Sequence, residues 1–153
     1  MSAVDIQIDS REHKKELDRV RGQLEEGGAR TFVSKLYVGD YMNLDNPRLV
    51  VDRKKDLGEL CGNVCQQHER FRSELVRAKE AGIRIIVLCE HGSGIKALDD
   101  VKRWRNPRVK FSPGAMTGER LFKILTTMSE KYGVKFAFCE KKETGKTIIK
   151  LLE

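Results

Sequence analysis

The stretch Ile83 to Cys89 is apolar almost throughout, and it limits the fold more than any other feature of the chain. A strand with one wet face alternates polar and apolar residues. A strand that is apolar on both faces must be covered on both, as in a parallel sheet between helices. The chain has the helices for this. Leu57, Leu60, Cys61, Val64, Cys65, Phe71, Leu75 and Ala78 form one stripe, which predicts a long amphipathic helix from about Leu57 to Ala81. Glu12 to Glu26, with Leu17, Val20 and Leu24 in register, predicts another, and so do Thr117 to Tyr132 and Gly145 to Leu152. Strands are expected at Ala3 to Ile8, Thr31 to Tyr37, Tyr41 to Leu44, Leu49 to Lys54 and Val134 to Cys139. The two central ones are joined at Asp45-Asn46-Pro47. Strands alternating with helices imply an α/β sandwich, with a central mixed sheet flanked by helices. No boundary interrupts the pattern, so residues 1–153 read as a single domain.

A chain of 153 residues can bury a core without disulfides or a structural metal. Its formal net charge of +7 favours a polyanionic partner, of which nucleic acid is the commonest. The four cysteines, Cys61, Cys65, Cys89 and Cys139, make no zinc pattern. Cys61 and Cys65 fall on the apolar stripe and read as core residues. The expectation is a reduced, cytosolic protein with free, mostly buried thiols. Met1 to Ser10 has no signal-peptide layout, and no apolar run approaches the ~20 residues that cross a bilayer, so no membrane partner is expected.

The chemistry concentrates in Gly39-Asp40 and, twelve residues on, Asp52-Arg53-Lys54. Side chains alternate along a strand, so Asp52 and Lys54 share a face and Arg53 points away. If the two short strands pair as a hairpin, Asp40 comes close to Asp52. Two carboxylates and an ammonium would then converge at one sheet edge. That set suits phosphodiester hydrolysis with Mg²⁺ or Mn²⁺, which takes hard oxygen ligands. The backbone carbonyl of Arg53 can add a ligand. Asp9 and Glu12 lie where the first strand meets the first helix and can approach the same cluster.

Asp9-x-Arg11-Glu12, Val38-Gly39-Asp40-Tyr41 and Val51-Asp52-Arg53-Lys54 resemble, in that order, the motifs of the XPF-type (ERCC-type) structure-specific nucleases. These belong to the PD-(D/E)xK, restriction-endonuclease-like superfamily, a three-layer sandwich. Gln67-x-x-Arg70 is similar to a further residue pair of that family. The resemblance runs from the first strand to the last helix. It implies a metal-dependent endonuclease acting on branched, flap or junction DNA. Asp40 and Asp52 would hold the metal, Lys54 would be catalytic, and Asp9 and Glu12 would be supporting acids. Arg11, Arg53, Gln67 and Arg70 would contact DNA or support the site.

The chain departs from the pattern at two places. The family usually has Glu where Asp52 stands, and it has an aspartate four positions after the lysine, whereas Asp56 follows by two. Asp56-x-x-Glu59 reads instead as a helix capping box. No tandem helix-hairpin-helix domain follows. The chain resembles the stand-alone versions of bacteriophages and bacteria, which implies the bacterial cytoplasm. The basic stretch from Gly92 to Gly114 adds Arg103, Arg105, Arg108 and Lys110 as candidate DNA contacts. The alternative is a catalytically silent DNA-binding or dimerisation module of the same fold. Silent copies tend to lose the acids or the lysine, and all remain here. Homodimers through the Thr117–Tyr132 helix and the terminal helix are also expected.

Overall fold

The computed structural model describes residues 3–153. Six strands, β1 (Asp5–Ile8), β2 (Arg30–Val33), β3 (Tyr41–Asn43), β4 (Asn46–Lys54), β5 (Arg84–Cys89) and β6 (Lys135–Phe138), make one sheet in the order β2-β1-β3-β4-β5-β6. The helices are α1 (Lys14–Glu26), α2 (Leu57–Cys65), α3 (His68–Glu80), α4 (Gly118–Tyr132) and α5 (Thr144–Leu151). β1 runs parallel to β2 and antiparallel to β3, β3 and β4 form an antiparallel hairpin, and β4, β5 and β6 are parallel. The sheet is therefore mixed, as the sequence predicts.

Alternation in β4 and β5 builds two separate cores. Val50, Ile85, Val87 and Cys89 face Leu60, Phe71, Leu75 and Leu125, which belong to α2, α3 and α4. Val51, Ile86 and Leu88 face Val20, Leu24 and Ile148, which belong to α1 and α5. A strand so placed has no face left for polar side chains, which accounts for the apolar run that opens at Ile83. α1 and α5 pack closely because Gly145 has no side chain. A Cβ there would stand 2.5 Å from the Gln23 Cβ.

The single long helix expected over Leu57 to Ala81 is two helices. Gly62 O accepts from both Gln66 N and Gln67 N, at 2.9 and 3.1 Å, and the chain turns there. Gln66 to Arg70 offers no apolar side chain to fasten this stretch to the core. The stripe resumes in phase at Phe71, so its period gives no sign of the break. The second strand is also shorter than Thr31 to Tyr37. Its last ladder bond is Ser34 N to Ile8 O, after which the buried Asp9 carboxylate takes the Leu36 N–H at 2.9 Å. Inside the loop-rich stretch, Leu98–Arg103 and Pro107–Lys110 form short 3₁₀ turns. The thiols differ from expectation as well. Only Cys89 is buried; Cys61 and Cys139 are partly exposed and Cys65 is exposed. No described helix is long and apolar enough to cross a membrane.

Candidate active site

The hairpin register fixes the site. Tyr41 pairs with Val51 and Met42 with Val50, so the next position of the ladder sets Asp40 opposite Asp52. Asp40 N donates to Val51 O at 2.9 Å and extends the ladder by that step. Residues opposite one another share a face, here the α3 side of the sheet. Gly39 makes the approach possible. Its φ of +75° is in the left-handed region, and a Cβ there would stand 2.9 Å from Val50 Cγ2. Asp40 Oδ2 also accepts the Arg53 N–H at 2.8 Å, which holds its carboxyl against β4.

Lys54 shares the face of Asp52, with its ammonium 3.4 Å from Asp52 Oδ2 and 5.5 Å from the centre of the Phe71 ring. Burial pushes the Lys54 pKa down, but Asp52, Glu59, Asp40 and Glu74 outweigh it and leave the pKa raised. The amine is thus held as an ammonium. Asp40 behaves in the opposite sense. Burial first, then the charges of Asp52 and Glu12, raise its pKa well above the usual carboxylate range. A buried carboxyl facing a second negative charge is harder to ionise.

A cleft of about 600 Å³ opens over this pair, walled by Asp9, Arg11, Glu12, Tyr37, Asp40, Asp52, Arg70, Ser73, Glu74 and Arg77. Asp9 accepts from Arg11 Nε at 3.0 Å and from the Leu36 amide, so it braces the cleft wall. Arg11 also donates to Leu36 O, at 3.0 Å, and its exposed head borders the opening. Arg70 and Arg77 stand on the α3 side, with Arg77 over the Tyr37 ring.

Glu74 is a wall residue that sequence reasoning missed. Burial and the Asp52 charge raise its pKa against the pull of Lys54 and Arg77. A signal for it existed. Arg70, Glu74 and Arg77 are three and four residues apart, one face of a helix that starts just before the predicted Arg70.

Arg53 needs a correction. Its amide serves Asp40, but its side chain lies on the α1 side of the sheet, not at the cleft. There Nη1 donates to Glu90 Oε1 at 2.6 Å and Nη2 to Glu12 Oε2 at 3.2 Å. Arg19 bridges Glu16 and Glu90 at 2.8 and 2.7 Å, and the Thr144 hydroxyl also donates to Glu90. Glu90 is fully buried and was missed by the sequence reading. Alternation puts Arg53 here, since Val51 faces the same layer. The guanidinium is a buried brace rather than a DNA contact.

The remaining expected contacts stand apart from the cleft. Gln67 accepts from Asn63 Nδ2 at 3.1 Å and does not line it. Arg103 pairs with Asp100 at 2.8 Å, and Arg105, Arg108 and Lys110 are exposed outside the cleft. Asp56 caps α2: its Oδ1 accepts from Glu59 N at 2.8 Å, and Glu59 accepts from Lys55 N at 2.9 Å.

Among the described residues, no three acidic, histidine or cysteine side chains form a ready metal cluster. Two carboxylates do meet, and that is the protein share of a Mg²⁺ site, which keeps several waters. Within a strand a residue's N–H and C=O share one edge, so the Arg53 carbonyl is turned toward the Asp40 side. The donor set is all hard oxygen, and a cation would relieve the crowding of charge on Asp40. The residues present fit a small divalent ion.

A family model described as the ERCC4 domain matches residues 8–151. Among solved structures, XPF from Aeropyrum pernix has a TM-score of 0.68 at 20% identity, over 97% of this chain and 63% of that one. XPF from Aeropyrum pernix in complex with DNA has a TM-score of 0.67 at the same identity and coverage. The chain therefore spans less than two thirds of the length of these proteins. No curated protein matches it. The likeness establishes the restriction-endonuclease-like fold, with a mixed six-stranded sheet between helices. With the family match running from the end of β1 to the last residue of α5, the chain belongs to the ERCC4 domain family.

Proposed function

We propose that this protein is a Mg²⁺- or Mn²⁺-dependent DNA endonuclease that hydrolyses phosphodiester bonds at branched, flap or junction DNA. The observation that carries the reading is the register that sets Asp40 opposite Asp52, with Lys54 3.4 Å from Asp52. Asp40, Asp52 and the Arg53 carbonyl would hold the ion. Bound there, it would polarise a phosphoryl oxygen and lower the pKa of a coordinated water. Lys54, kept as an ammonium, stabilises the negative charge that grows on the phosphoryl oxygens and is ill suited to take a proton. Glu12 and Asp9 hold the cleft wall through Arg53 and Leu36. Arg11, Arg70 and Arg77 at the rim are placed to take backbone phosphates. DNA as the partner is supported by the net charge and by the Aeropyrum pernix protein in complex with DNA.

The test compares flap, fork, junction and plain duplex DNA with Mg²⁺ or Mn²⁺, using wild type, Asp52→Ala and Lys54→Ala. The expected result is cleavage by wild type, preference for a branched substrate, and loss on the order of 100-fold or more in both variants. Equal cleavage by all three would overturn the assignment. Pairing of two copies is a further element of the proposal. Light scattering is expected to give twice the chain mass, and the mass of one chain would remove it.

A further inference from the structure

Cys61 and Cys65 stand one turn apart on α2, with their sulfurs 3.9 Å apart. Met116, from the segment just before α4, brings its sulfur to 3.8 Å from that of Cys65. All three line a cavity of about 300 Å³ that shares no residue with the acidic cleft. Cys65 thus has one sulfur neighbour from its own helix and one from a distant part of the chain, and the two thiols have no disulfide between them.

The spacing has a chemical meaning. An ion bonded to sulfur at about 2.3 Å keeps its sulfurs about 4.0 Å apart in a trigonal site and about 3.8 Å apart in a tetrahedral one. Both measured separations already fall in that range. We propose that Cys61, Cys65 and Met116 form a binding site for a soft monovalent metal ion of the copper(I) class.

The rest of the wall selects for this class. Thiolate and thioether ligands favour copper(I), whereas zinc sites use thiolate, imidazole or carboxylate and do not rely on thioether. No histidine, aspartate or glutamate lines the cavity, so a hard ion finds no anionic oxygen there. Two thiolates and a monovalent ion carry one net negative charge. Arg108 and Arg120 are in the wall to offset it. The two thiol protons leave to solvent as the ion binds. Since the ligands come from α2 and from the segment before α4, the ion would tie the basic Arg105–Lys110 region to α2. None of this depends on the acidic cleft.

The test uses the full chain, reduced and free of oxygen. Copper(I) is titrated in competition with bicinchoninate, silver(I) is followed by calorimetry, and X-ray absorption counts the sulfurs on copper. The expected result is one tightly held copper(I) per chain with three sulfur neighbours. Cys65→Ser and Cys61→Ser abolish this binding, Met116→Leu weakens it on the order of tenfold, and Cys89→Ser and Cys139→Ser leave it intact. Circular dichroism checks each fold, and Cys65 is exposed, so that variant is the safest. Copper held as tightly by Cys65→Ser as by wild type would overturn the site. A two-sulfur spectrum with Met116→Leu unchanged would overturn the three-sulfur assignment.

Discussion

The backbone amide of Arg53 donates to Asp40 Oδ2 at 2.8 Å, while the Arg53 side chain turns to the opposite layer and meets Glu90 at 2.6 Å. One residue therefore serves the site with its main chain and the fold with its side chain. Arg53→Ala leaves the amide in place but strands the fully buried Glu90 carboxylate with only Arg19 and Thr144. Removing one hydrogen-bonding partner from a buried charge that keeps another costs about 1–3 kcal/mol. Urea denaturation is expected to show that loss, with Mn²⁺ binding kept by the folded fraction. A loss of Mn²⁺ binding with stability unchanged would reverse the division of roles.

Glu74 adds a negative charge beside Asp52 from the facing helix. Its pKa is raised, so the charged form opposes folding. Glu74→Gln is expected to leave the melting temperature at neutral pH unchanged or higher. With less negative charge in the cleft, it should also need more Mg²⁺ for half-maximal cleavage. The readout is the Mg²⁺ dependence of the rate beside a thermal melt. A lower melting temperature with an unshifted Mg²⁺ dependence would make Glu74 a purely structural residue.

His91 gives the fold a pH dependence. Its Nδ1 accepts the N–H of Leu57, the first residue of α2, at 3.1 Å, and its ring meets Trp104 edge-on. Burial lowers its pKa, with Asp56 opposing. The unfolded chain then takes up a proton more readily than the folded one. The stability due to neutral His91 is complete above its unfolded value of about 6.5 and is lost as the pH falls below it. Urea midpoints at pH 7.5 and pH 5 are expected to separate further for wild type than for His91→Gln, whose amide oxygen can still accept from Leu57. Equal separation would remove His91 as the cause.

The parts of the site that the sequence reveals are those carried on strands. Period two and a twelve-residue gap are enough to bring Asp52, Lys54 and Asp40 to one face, because a hairpin leaves few registers open. Parts that depend on how layers meet are hidden. Glu74 reaches the cleft only because α3 turns away from α2 at Gln66, and an uninterrupted stripe conceals that turn. Arg53 lies next to two site residues in the motif, yet its destination is set by Glu90, which follows a strand thirty residues on. Asp9 reads as a catalytic acid by position. In the fold it takes an amide that would otherwise continue β2, a bond that local propensity does not encode.

The central claim is that Asp40 and Asp52 share one divalent ion, and direct Mn²⁺ binding tests it. Calorimetry on the metal-free protein is expected to find Mn²⁺ bound by wild type and by Lys54→Ala. Binding should be lost in both Asp40→Asn and Asp52→Asn, with all four proteins folded. Undiminished Mn²⁺ binding by both aspartate variants would contradict the account.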